Sequence, residues 1–516
     1  NLDDRNQREQ LEAEIQEALA REWRAMPLVG GERWQGASRP VDNPADRKTP
    51  AGIVTDASAE AVEQALSRGA AAVGSWARTA PGDRAKLLEN AAERLEGHRS
   101  ELAGLCVREG GRTLPDALSE VREAVDFCRY YAQLLREDFG RTRILPGPTG
   151  EENRLSLHGR GLFVCISPWN FPIAIFTGQI TAALAVGNPV IAKPASETPL
   201  VGMRIVELFH AAGVPVDVLH YLPGRGSLLG PLLLKDPRVA GVAFTGSTET
   251  AREINVMLAA RPGPIIPLIA ETGGQNAMIV DSSALLEQAT TDILQSAFNS
   301  AGQRCSALRL LFIQQDIADS LIEMLEGAMG ELSMGDPMRL ATDIGPVINE
   351  SARDELTRHA ERMYREATLL YRTPLPAIER HGSFFAPLMV ELPDAALLHK
   401  EVFGPVLHVI RYPVDSLDRV IQSIEQTGYG LTLGIHSRIQ ATVDYLRERL
   451  SVGNIYINRN MIGAVVGVQP FGGEGLSGTG PKSGGPYTLF RYATERSVTV
   501  NTAAVGGNAR LLSLEE

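Results

Sequence analysis

Cysteine and long apolar runs are what this sequence has least of. Four cysteines in 516 residues do not suggest a disulfide scaffold. No apolar run approaches the roughly 18 residues that a membrane-spanning helix needs. The first residues also lack the charged-then-apolar layout of a signal peptide. The pattern predicts a protein of the reducing cytoplasm.

Positive charge is in deficit as well. Lys and Arg number 50 against 62 Asp and Glu, which gives a net charge of -12 at pH 7. Proteins that bind nucleic acids favour a basic surface stripe, so this balance disfavours a nucleic-acid partner. A length of 516 residues predicts two or three domains. We predict no metal site.

The spacing of apolar residues predicts an α/β protein. Helices are expected over residues 7–23 (a surface arm), 59–77, 84–105, 118–135, 173–185 and 202–212. Strands are expected over residues 162–166, 189–192, 218–221, 239–244, 277–280, 308–313, 406–411 and 453–458. Strands that alternate with helices imply two parallel, doubly wound units. Turns over residues 144–161 predict a protruding hairpin, which a late strand over 496–502 would join.

Cys305 lies among polar neighbours in the segment AGQRCSA. A cysteine taken alone is more often a small core residue, but Gln303, Arg304 and Ser306 disfavour a dry core. A helix start or a nearby cation would lower the thiol pKa from its free value of ~8.5 and supply thiolate. Cys305 is therefore a candidate nucleophile.

Two further motifs precede Cys305. Glu271 ends a predicted strand in IAETGGQN; it is either a surface glutamate or a carboxylate whose raised pKa lets it activate water. Asn170, in ISPWNFP, stands between a strand and a helix. It either caps that helix or aims its amide at a developing oxyanion.

Other turns after strands suit a cofactor. FTGSTE joins a strand to a helix through Gly246 and Ser247, where backbone N–H groups would suit a pyrophosphate. Lys193 stands just past a buried strand, where parallel strands meet ligands. Glu401 and Phe403, in KEVFGPV, suit a ribose and a ring. Each feature alone also fits an ordinary turn or a solvated side chain. PGRGSLLG is interpreted as a turn, because it has one residue more than a dinucleotide fingerprint.

Together these motifs resemble the aldehyde dehydrogenase superfamily over residues 29–502. PWNFP, KPASETP, FTGSTE, ETGGQN, GQRCSA, EVFGP and PFGG occur in that family's order. The resemblance implies the aldehyde dehydrogenase fold, with a Rossmann-like cofactor domain, an α/β catalytic domain that carries the thiol and a β-hairpin flap for oligomerisation. The implied boundaries are a helical arm at 1–25, a cofactor domain at 26–139 and 161–268, a catalytic domain at 269–465 and a flap at 140–160 and 487–503.

The resemblance also implies roles for individual residues. Cys305 would be the nucleophile, Glu271 the base and Asn170 the oxyanion donor, assisted by the Cys305 N–H. The implied cofactor contacts are Trp169, Lys193, Ser196, Gly246, Ser247, Glu401 and Phe403. The expected cofactor is NAD. Many NAD-preferring relatives have a glutamate at Ser196 that holds the adenosine 2′-hydroxyl; the serine leaves room for a 2′-phosphate, so NADP stays open, and Glu197 offers compensation.

A narrower resemblance lies near the C-terminus. IYINRNMIGAVVGVQPFGG and GPKSGGPYTLFRY are similar to the Δ1-pyrroline-5-carboxylate dehydrogenases, which oxidise glutamate γ-semialdehyde to glutamate in proline catabolism. VNTAAVGGNA resembles the bifunctional bacterial proline utilisation A enzymes, which carry an FAD-dependent proline dehydrogenase ahead of this module. With a start at Asn1 rather than Met, the match predicts a piece of a longer, homo-oligomeric, cytoplasmic chain that meets the membrane at most peripherally.

By this closer match, Gly463 and Ala464 would receive the amino-acid end of the substrate through backbone N–H groups. Further implied substrate contacts are Ser306, Phe171, Phe471, Glu123 near the entrance, and Arg304, which replaces a common lysine and is either a contact or structural. Three other interpretations stay open: an enzyme for another small aldehyde such as a different semialdehyde, a hydrolase that uses the thiol without a cofactor, and a catalytically idle structural fold.

Overall fold

The computed structural model describes residues 4–375 and 381–505, so the last part of VNTAAVGGNA lies outside the described residues. Within that part of the chain, two seven-stranded sheets form the framework. The first contains, in spatial order, Leu268–Glu271, Val239–Thr245, Leu162–Ile166, Val190–Lys193, Leu219–Tyr221, Leu28–Val29 and Glu32–Arg33. The second contains Thr368–Arg372, Leu388–Glu391, Val406–Tyr412, Leu308–Gln314, Asn276–Val280, Thr432–His436 and Asn454–Ile457.

Both sheets are parallel except at one edge. The five strands from Leu268–Glu271 to Leu219–Tyr221 run parallel, and the two short strands beyond them pair antiparallel. In the second sheet only Thr368–Arg372 pairs antiparallel. Their central strands are almost wholly buried, because helices cover both faces of such a sheet. This is the predicted α/β architecture.

The helices lie mainly around these sheets. In chain order they are Arg5–Ala20, Ala59–Arg78, Pro81–Gly97, Arg99–Gly110, Leu114–Leu134, Ala174–Ala185, Pro199–Ala211, Gly226–Leu234, Thr248–Ala260, Leu286–Phe298, Gln315–Gly330, Glu350–Glu366, Leu417–Gln426, Gln440–Arg449 and Thr488–Tyr492. Several begin at side-chain caps, such as Ser58, Ser247 and Asn349. Among residues 4–375 and 381–505, no helix combines the length and apolar character needed to cross a bilayer.

Two sequence predictions of local structure were wrong. The helix expected over residues 84–105 is two helices, because Gly97 ends one and His98 leaves helical geometry (φ −111°, ψ 22°) before the next begins. PGRGSLLG is more than a turn: Gly224 turns the chain at φ 148°, and a helix starts at Gly226. A single sequence shows the glycines but not where the backbone resumes a helix.

Three antiparallel strands form a separate small sheet. Arg143–Leu145 and Glu151–Gly159 make the predicted hairpin, and the late strand Ala493–Asn501 pairs with the second of them. The residues of the strand Ala493–Asn501 are mostly exposed. Smaller sheets are formed by Arg24–Ala25, Ser38–Val41 and Gly52–Thr55, and by Tyr429–Gly430 with Glu474–Gly475.

The start of helix Pro199–Ala211 is capped from another helix. Thr198 makes no side-chain cap bond, and instead both carboxylate oxygens of Glu109 accept the N–H groups of Leu200 and Val201 at 2.8 Å. Glu109 is 1% exposed. It satisfies two of the N–H groups that a helix start leaves without partners.

We predict that Glu109→Ala lowers the free energy of unfolding by about 3 kcal/mol, because two buried donors lose their acceptor. Urea denaturation followed by circular dichroism measures the change. The exposed Glu93→Ala is the control, with an expected change within about 0.5 kcal/mol. Equal losses in the two variants would contradict the capping role.

Candidate active site

The carboxyl ends of five neighbouring strands in the first sheet bring the predicted motifs together. Glu271 ends its strand, Gly246 follows the next, the segment with Asn170 follows the third, and Lys193 ends the fourth. Gly224 follows the fifth. Ligands of open parallel sheets bind at this edge.

The second sheet meets this edge with the amino ends of its strands. The chain leaves Glu271, crosses Thr272–Gln275 and enters the strand Asn276–Val280. Cys305 and Ser306 precede the neighbouring strand Leu308–Gln314, and Glu401 precedes Val406–Tyr412. Residues far apart in the sequence therefore converge where the two sheets face each other.

A cavity lies at this junction. Nine of the residues singled out by the sequence line it: Cys305, Glu271, Ser306, Arg304, Gly463, Ala464, Phe171, Phe471 and Glu123. Aromatic and aliphatic side chains supply much of the remaining wall, including Phe127, Ile175, Ile269 and Tyr492. The cavity thus combines a thiol, carboxylates and an apolar wall.

Neighbouring residues hold the backbone of Cys305 and raise the pKa of its thiol. Asn276 donates through Nδ2 to the Cys305 carbonyl at 2.6 Å. Burial, followed by the charges of Glu401 and Glu271, raises the pKa of the thiol to about 12, against smaller lowering effects from Arg304 and the Ser306 N–H. The sequence expectation of a lowered thiol pKa was therefore wrong, because burial and the charges of Glu401 and Glu271 outweigh the effect of the neighbouring Arg304.

Glu271 is a carboxylate with one oxygen held and one without a partner. The Gly473 N–H donates to its Oε2 at 3.2 Å, whereas its Oε1 has no hydrogen-bond partner among the described residues. Burial raises its pKa to about 8, which the Gly473 N–H and the charge of Lys482 only partly offset. Glu271 can therefore exchange protons near neutral pH.

Asn170 approaches the nucleophile segment. It is 6% exposed, and its Nδ2 donates to the carbonyl of Gln303 at 3.1 Å. Gln303 is itself held at Pro346 and Ile348 through its side-chain amide. A primary amide has two N–H donors, so the Asn170 amide can hold this segment and still offer a hydrogen bond.

Lys193 and Ser196 flank the turn at Gly224 and Gly226. The Lys193 ammonium, 4% exposed, donates to the Pro194 carbonyl at 2.6 Å, and burial lowers its pKa to about 8. A Cβ at Gly226 would lie 3.8 Å from the Lys193 side chain. Ser196 donates to the Gly224 carbonyl at 3.4 Å. The ammonium retains hydrogens for hydroxyl groups of a ligand.

Gly246 and Ser247 lead into the helix Thr248–Ala260. The Gly246 N–H already donates to the Glu271 carbonyl at 3.1 Å, and the Ser247 hydroxyl accepts from the Thr250 N–H at 3.2 Å. A pyrophosphate there would meet the N–H groups of the first helical turn and its positive dipole end.

Glu401, Trp169 and Phe403 form the other side of the junction. The Glu401 carboxylate lies 3.5 Å from Arg309, and a Cβ at Gly273 would collide with it. Burial raises the pKa of Glu401 to about 7, against the lowering effect of Arg309. The rings of Trp169 and Phe403 meet edge to face, 5.5 Å between centroids. Carboxylate, ammonium, helix start and aromatic rings together fit a nicotinamide dinucleotide.

Gly463 and Ala464 offer unused donors to the cavity. Gly463 adopts φ 72°, a conformation that suits glycine. Within the part of the chain that the structure describes, no protein group accepts a hydrogen bond from either N–H. Ser306 is 6% exposed and Glu123 is half-buried with a pKa raised to about 8 by burial. The N–H donors of Gly463 and Ala464 and the thiol of Cys305 thus line the same cavity.

Comparison with known proteins agrees with this arrangement. A model of the aldehyde dehydrogenase family matches residues 33–498. The chain belongs to the aldehyde dehydrogenase family. The α/β fold predicted from the motifs is that family's fold, and the family uses nicotinamide cofactors.

Individual relatives of this aldehyde dehydrogenase are of two sizes. Bifunctional protein PutA of Klebsiella aerogenes is 49% identical over 94% of this chain and 37% of that protein. A mutant of Bradyrhizobium japonicum Proline Utilization A (PutA) superposes with a TM-score of 0.86 at 56% identity, over 88% of this chain and 46% of that one. The 1-pyrroline-5-carboxylate dehydrogenase of Geobacillus kaustophilus (strain HTA426) is 35% identical over 94% of both chains. The chain spans less than half of the length of these two PutA proteins.

The sequence missed some residues of the aldehyde dehydrogenase site. Asn276 closes the ETGGQN motif and bonds to the nucleophile segment. Arg309 is fully buried and faces Glu401. Asp116 pairs with Arg304 at 3.0 Å from a distant helix. A charged residue predicted in a buried strand could have singled out Arg309, but no local signal marks Asp116.

We predict that Glu401→Gln speeds alkylation of Cys305 by iodoacetamide at pH 8 in the ligand-free aldehyde dehydrogenase. Glu401 is ionised above its pKa of about 7, so its removal takes away a charge that raises the thiol pKa. We expect roughly a three- to tenfold increase, since one pKa unit changes the thiolate fraction tenfold. Mass spectrometry of the Cys305 peptide over time gives the rate.

The exposed, distant Glu425→Gln is the matched control, and we expect it to leave the rate unchanged. An unchanged or slower rate in Glu401→Gln would show that Glu401 does not set the charge state of the thiol.

Proposed function

We propose that this aldehyde dehydrogenase oxidises L-glutamate γ-semialdehyde, the open form of Δ1-pyrroline-5-carboxylate, to L-glutamate with NAD. The observation that carries the proposal is the single cavity that holds Cys305, Glu271 and the free N–H groups of Gly463 and Ala464. The relative that matches over 94% of both chains is a 1-pyrroline-5-carboxylate dehydrogenase.

The first step is attack of the Cys305 sulfur on the aldehyde carbon. The thiol first loses its proton to solvent, so that Cys305 attacks as the thiolate. The new C–S bond leaves an oxyanion, which the Asn170 amide and the Cys305 N–H stabilise. A bound nicotinamide cofactor would supply the hydride acceptor, and loss of the hydride would convert this carbon into a thioester of Cys305.

Glu271 then acts on water. Its free Oε1 accepts a proton from a water molecule as the oxygen attacks the thioester carbon. The C–S bond breaks, the acid leaves, the Cys305 thiolate is regenerated, and Glu271 returns its proton to solvent. The hydrogen bond from the Gly473 N–H to Oε2 orients the Glu271 carboxylate and leaves Oε1 available.

Substrate selection would rest on other residues that line the cavity. The Gly463 and Ala464 N–H groups would receive the α-carboxylate, and the Ser306 hydroxyl would add a contact. Phe171 and Phe471 would flank the methylene stem, and Glu123 would lie near the entrance.

The charges around Lys193 favour NAD over NADP. Asp56 and Glu197 are close enough to Lys193 to raise its pKa, and the nearby Arg39 is paired with Asp56 at 3.4 Å. A 2′-phosphate beside Ser196 would lie near the carboxylates of Asp56 and Glu197, which repel it. The guanidinium of Arg39 is already paired with Asp56 and would offset this repulsion only partly. Lys193 would hold the adenosine ribose, Glu401 the nicotinamide ribose, and the turn at Gly246 and Ser247 the pyrophosphate.

We also propose the domain division from the sequence, with a cofactor domain at 26–139 and 161–268, a catalytic domain at 269–465 and an oligomerisation flap at 140–160 and 487–503. The exposed face of strand Ala493–Asn501 is consistent with a homo-oligomer. From the same resemblance we propose a longer cytoplasmic chain, at most peripheral to the membrane, in which an FAD-dependent proline dehydrogenase supplies the substrate. The similarity to the bifunctional protein PutA supports the longer chain.

Steady-state kinetics with two aldehydes and two cofactors test the proposal. We expect kcat/KM for glutamate γ-semialdehyde to exceed that for succinate semialdehyde at least about a hundredfold, because the latter lacks the amino-acid end. NAD should be preferred to NADP. Cys305→Ala should bind NAD and form no NADH, and turnover in that variant would rule out the thiol mechanism. Equal use of both aldehydes would make this an enzyme for another semialdehyde.

Glu271→Gln should separate the two halves of the reaction. We expect a burst of NADH followed by a steady state slower by about 10²–10⁴-fold, because the thioester forms but water is not activated. The wild-type rate should rise with pH through about 8, since the raised pKa keeps Glu271 protonated below it. A normal steady state without a burst in stopped-flow absorbance would contradict the role.

A further inference from the structure

The segment just before Cys305 has an unusual backbone. Ser300 (φ 56°, ψ 32°), Ala301 (φ 54°, ψ 36°) and Gly302 (φ 65°) are three consecutive left-handed residues. This conformation is disfavoured wherever a Cβ is present, so two of the three are under strain. Gly302 is confined as well, because a Cβ there would collide with the Gly404 carbonyl. Something must hold this turn in place.

A closed set of polar contacts does so. The Ser300 hydroxyl donates to Asp116 Oδ2 at 2.7 Å, and Arg304 Nε donates to the same hydroxyl at 3.0 Å. Arg304 Nη2 reaches Asp116 Oδ1 at 3.0 Å. The three residues are 5–9% exposed, so loss of one removes hydrogen bonds from buried polar atoms of the other two. Asp116 lies in the first turn of Leu114–Leu134, a helix outside the segment that it holds.

The same contacts engage the charge of Arg304. Its guanidinium pairs with Asp116 and stacks over the ring of Phe171, 5.1 Å from the centroid. Arg112 stacks on that ring at 4.6 Å and pairs with Glu120 at 3.0 Å. The two guanidinium groups are thus neutralised by partners in the protein. The Arg304 guanidinium is therefore already paired with a protein carboxylate and is less available to a carboxylate of the substrate.

We propose that Asp116 and Ser300 are positioning residues for the nucleophile, and that Arg304 belongs to this clamp rather than to the substrate contacts. The clamp holds the left-handed turn and thereby fixes the direction in which Cys305 enters the cavity. The inference rests on the proposed function only in taking Cys305 as the nucleophile.

The test compares Ser300→Ala with Ser300→Gly. Both remove the hydroxyl, but alanine keeps the steric cost of the left-handed turn and glycine removes it. We expect Ser300→Ala to slow Cys305 alkylation and kcat about tenfold with little change in KM. Ser300→Gly should remain within about threefold of the wild type. A merely structural role predicts the reverse order, since glycine loosens the chain more than alanine does.

Two further variants complete the experiment. Thr291→Ala removes an exposed hydroxyl from the preceding helix and is the matched control, expected to change neither rate. Asp116→Asn should lower kcat for glutamate γ-semialdehyde and for propanal by the same factor, and should slow alkylation. It carries the test if Ser300→Ala does not fold, which thermal denaturation would reveal.

Several outcomes overturn the proposal: equal rates of Ser300→Ala and Ser300→Gly, normal alkylation in Asp116→Asn, or a rise in KM confined to glutamate γ-semialdehyde. The last would return Arg304 to the substrate site. Alkylation requires no aldehyde. If the wild type oxidised neither substrate, the proposed function would fail while the order of alkylation rates still decided the clamp.

Discussion

Burial at the junction of the two sheets raises the pKa of the ionisable groups of the site. Glu271, Glu401 and Cys305 lie together in a region where charge is poorly solvated, so burial raises the pKa of each. The same burial therefore raises the pKa of the proposed nucleophile and brings the pKa of both carboxylates near neutral pH.

Backbone glycines make this crowding possible. A Cβ at Gly273 would collide with the Glu401 carboxylate, and a Cβ at Gly472 or Gly478 would come within 2.9 Å of the Glu271 carboxylate. The ETGGQN and PFGG motifs are therefore two halves of one structure. The first brings Glu271 to the end of its strand, and the second gives its carboxylate a hydrogen bond from the Gly473 N–H. Carboxylates and backbone can then approach without side chains between them.

The residues behind the cavity explain how a strained nucleophile segment is maintained. Ser300 and Ala301 occupy a disfavoured conformation, which persists because surrounding contacts over-determine it. Asp116 contributes from the helical layer, Asn170 from the first sheet through Gln303, and Asn276 from the second sheet. Each layer of the fold thereby fixes a different atom near Cys305.

Much of this could be predicted from sequence because its signals are local. Alternation of apolar strands with helices predicted the two sheets, and the strand Leu162–Ile166 and the hairpin near residues 144–161 follow directly from local pattern. Motif order indicated the family and which side chains carry chemistry. The sequence could not predict the pKa of Cys305. Its neighbour in the chain, Arg304, lowers that pKa, but burial and the charges of Glu401 and Glu271, which only the fold brings close, raise it more.

What the sequence by itself determined is the set of elements and the chemical identity of Cys305, Glu271 and Lys193, since periodicity and motif spacing are written along the chain. Only the tertiary structure decided which groups share a cavity, that Asp116 engages Arg304, and that no group among the described residues accepts a hydrogen bond from the Gly463 or Ala464 N–H. The solvation and pairing of these groups depend on distances in space. The junction of the two sheets brings together residues that lie far apart in the sequence.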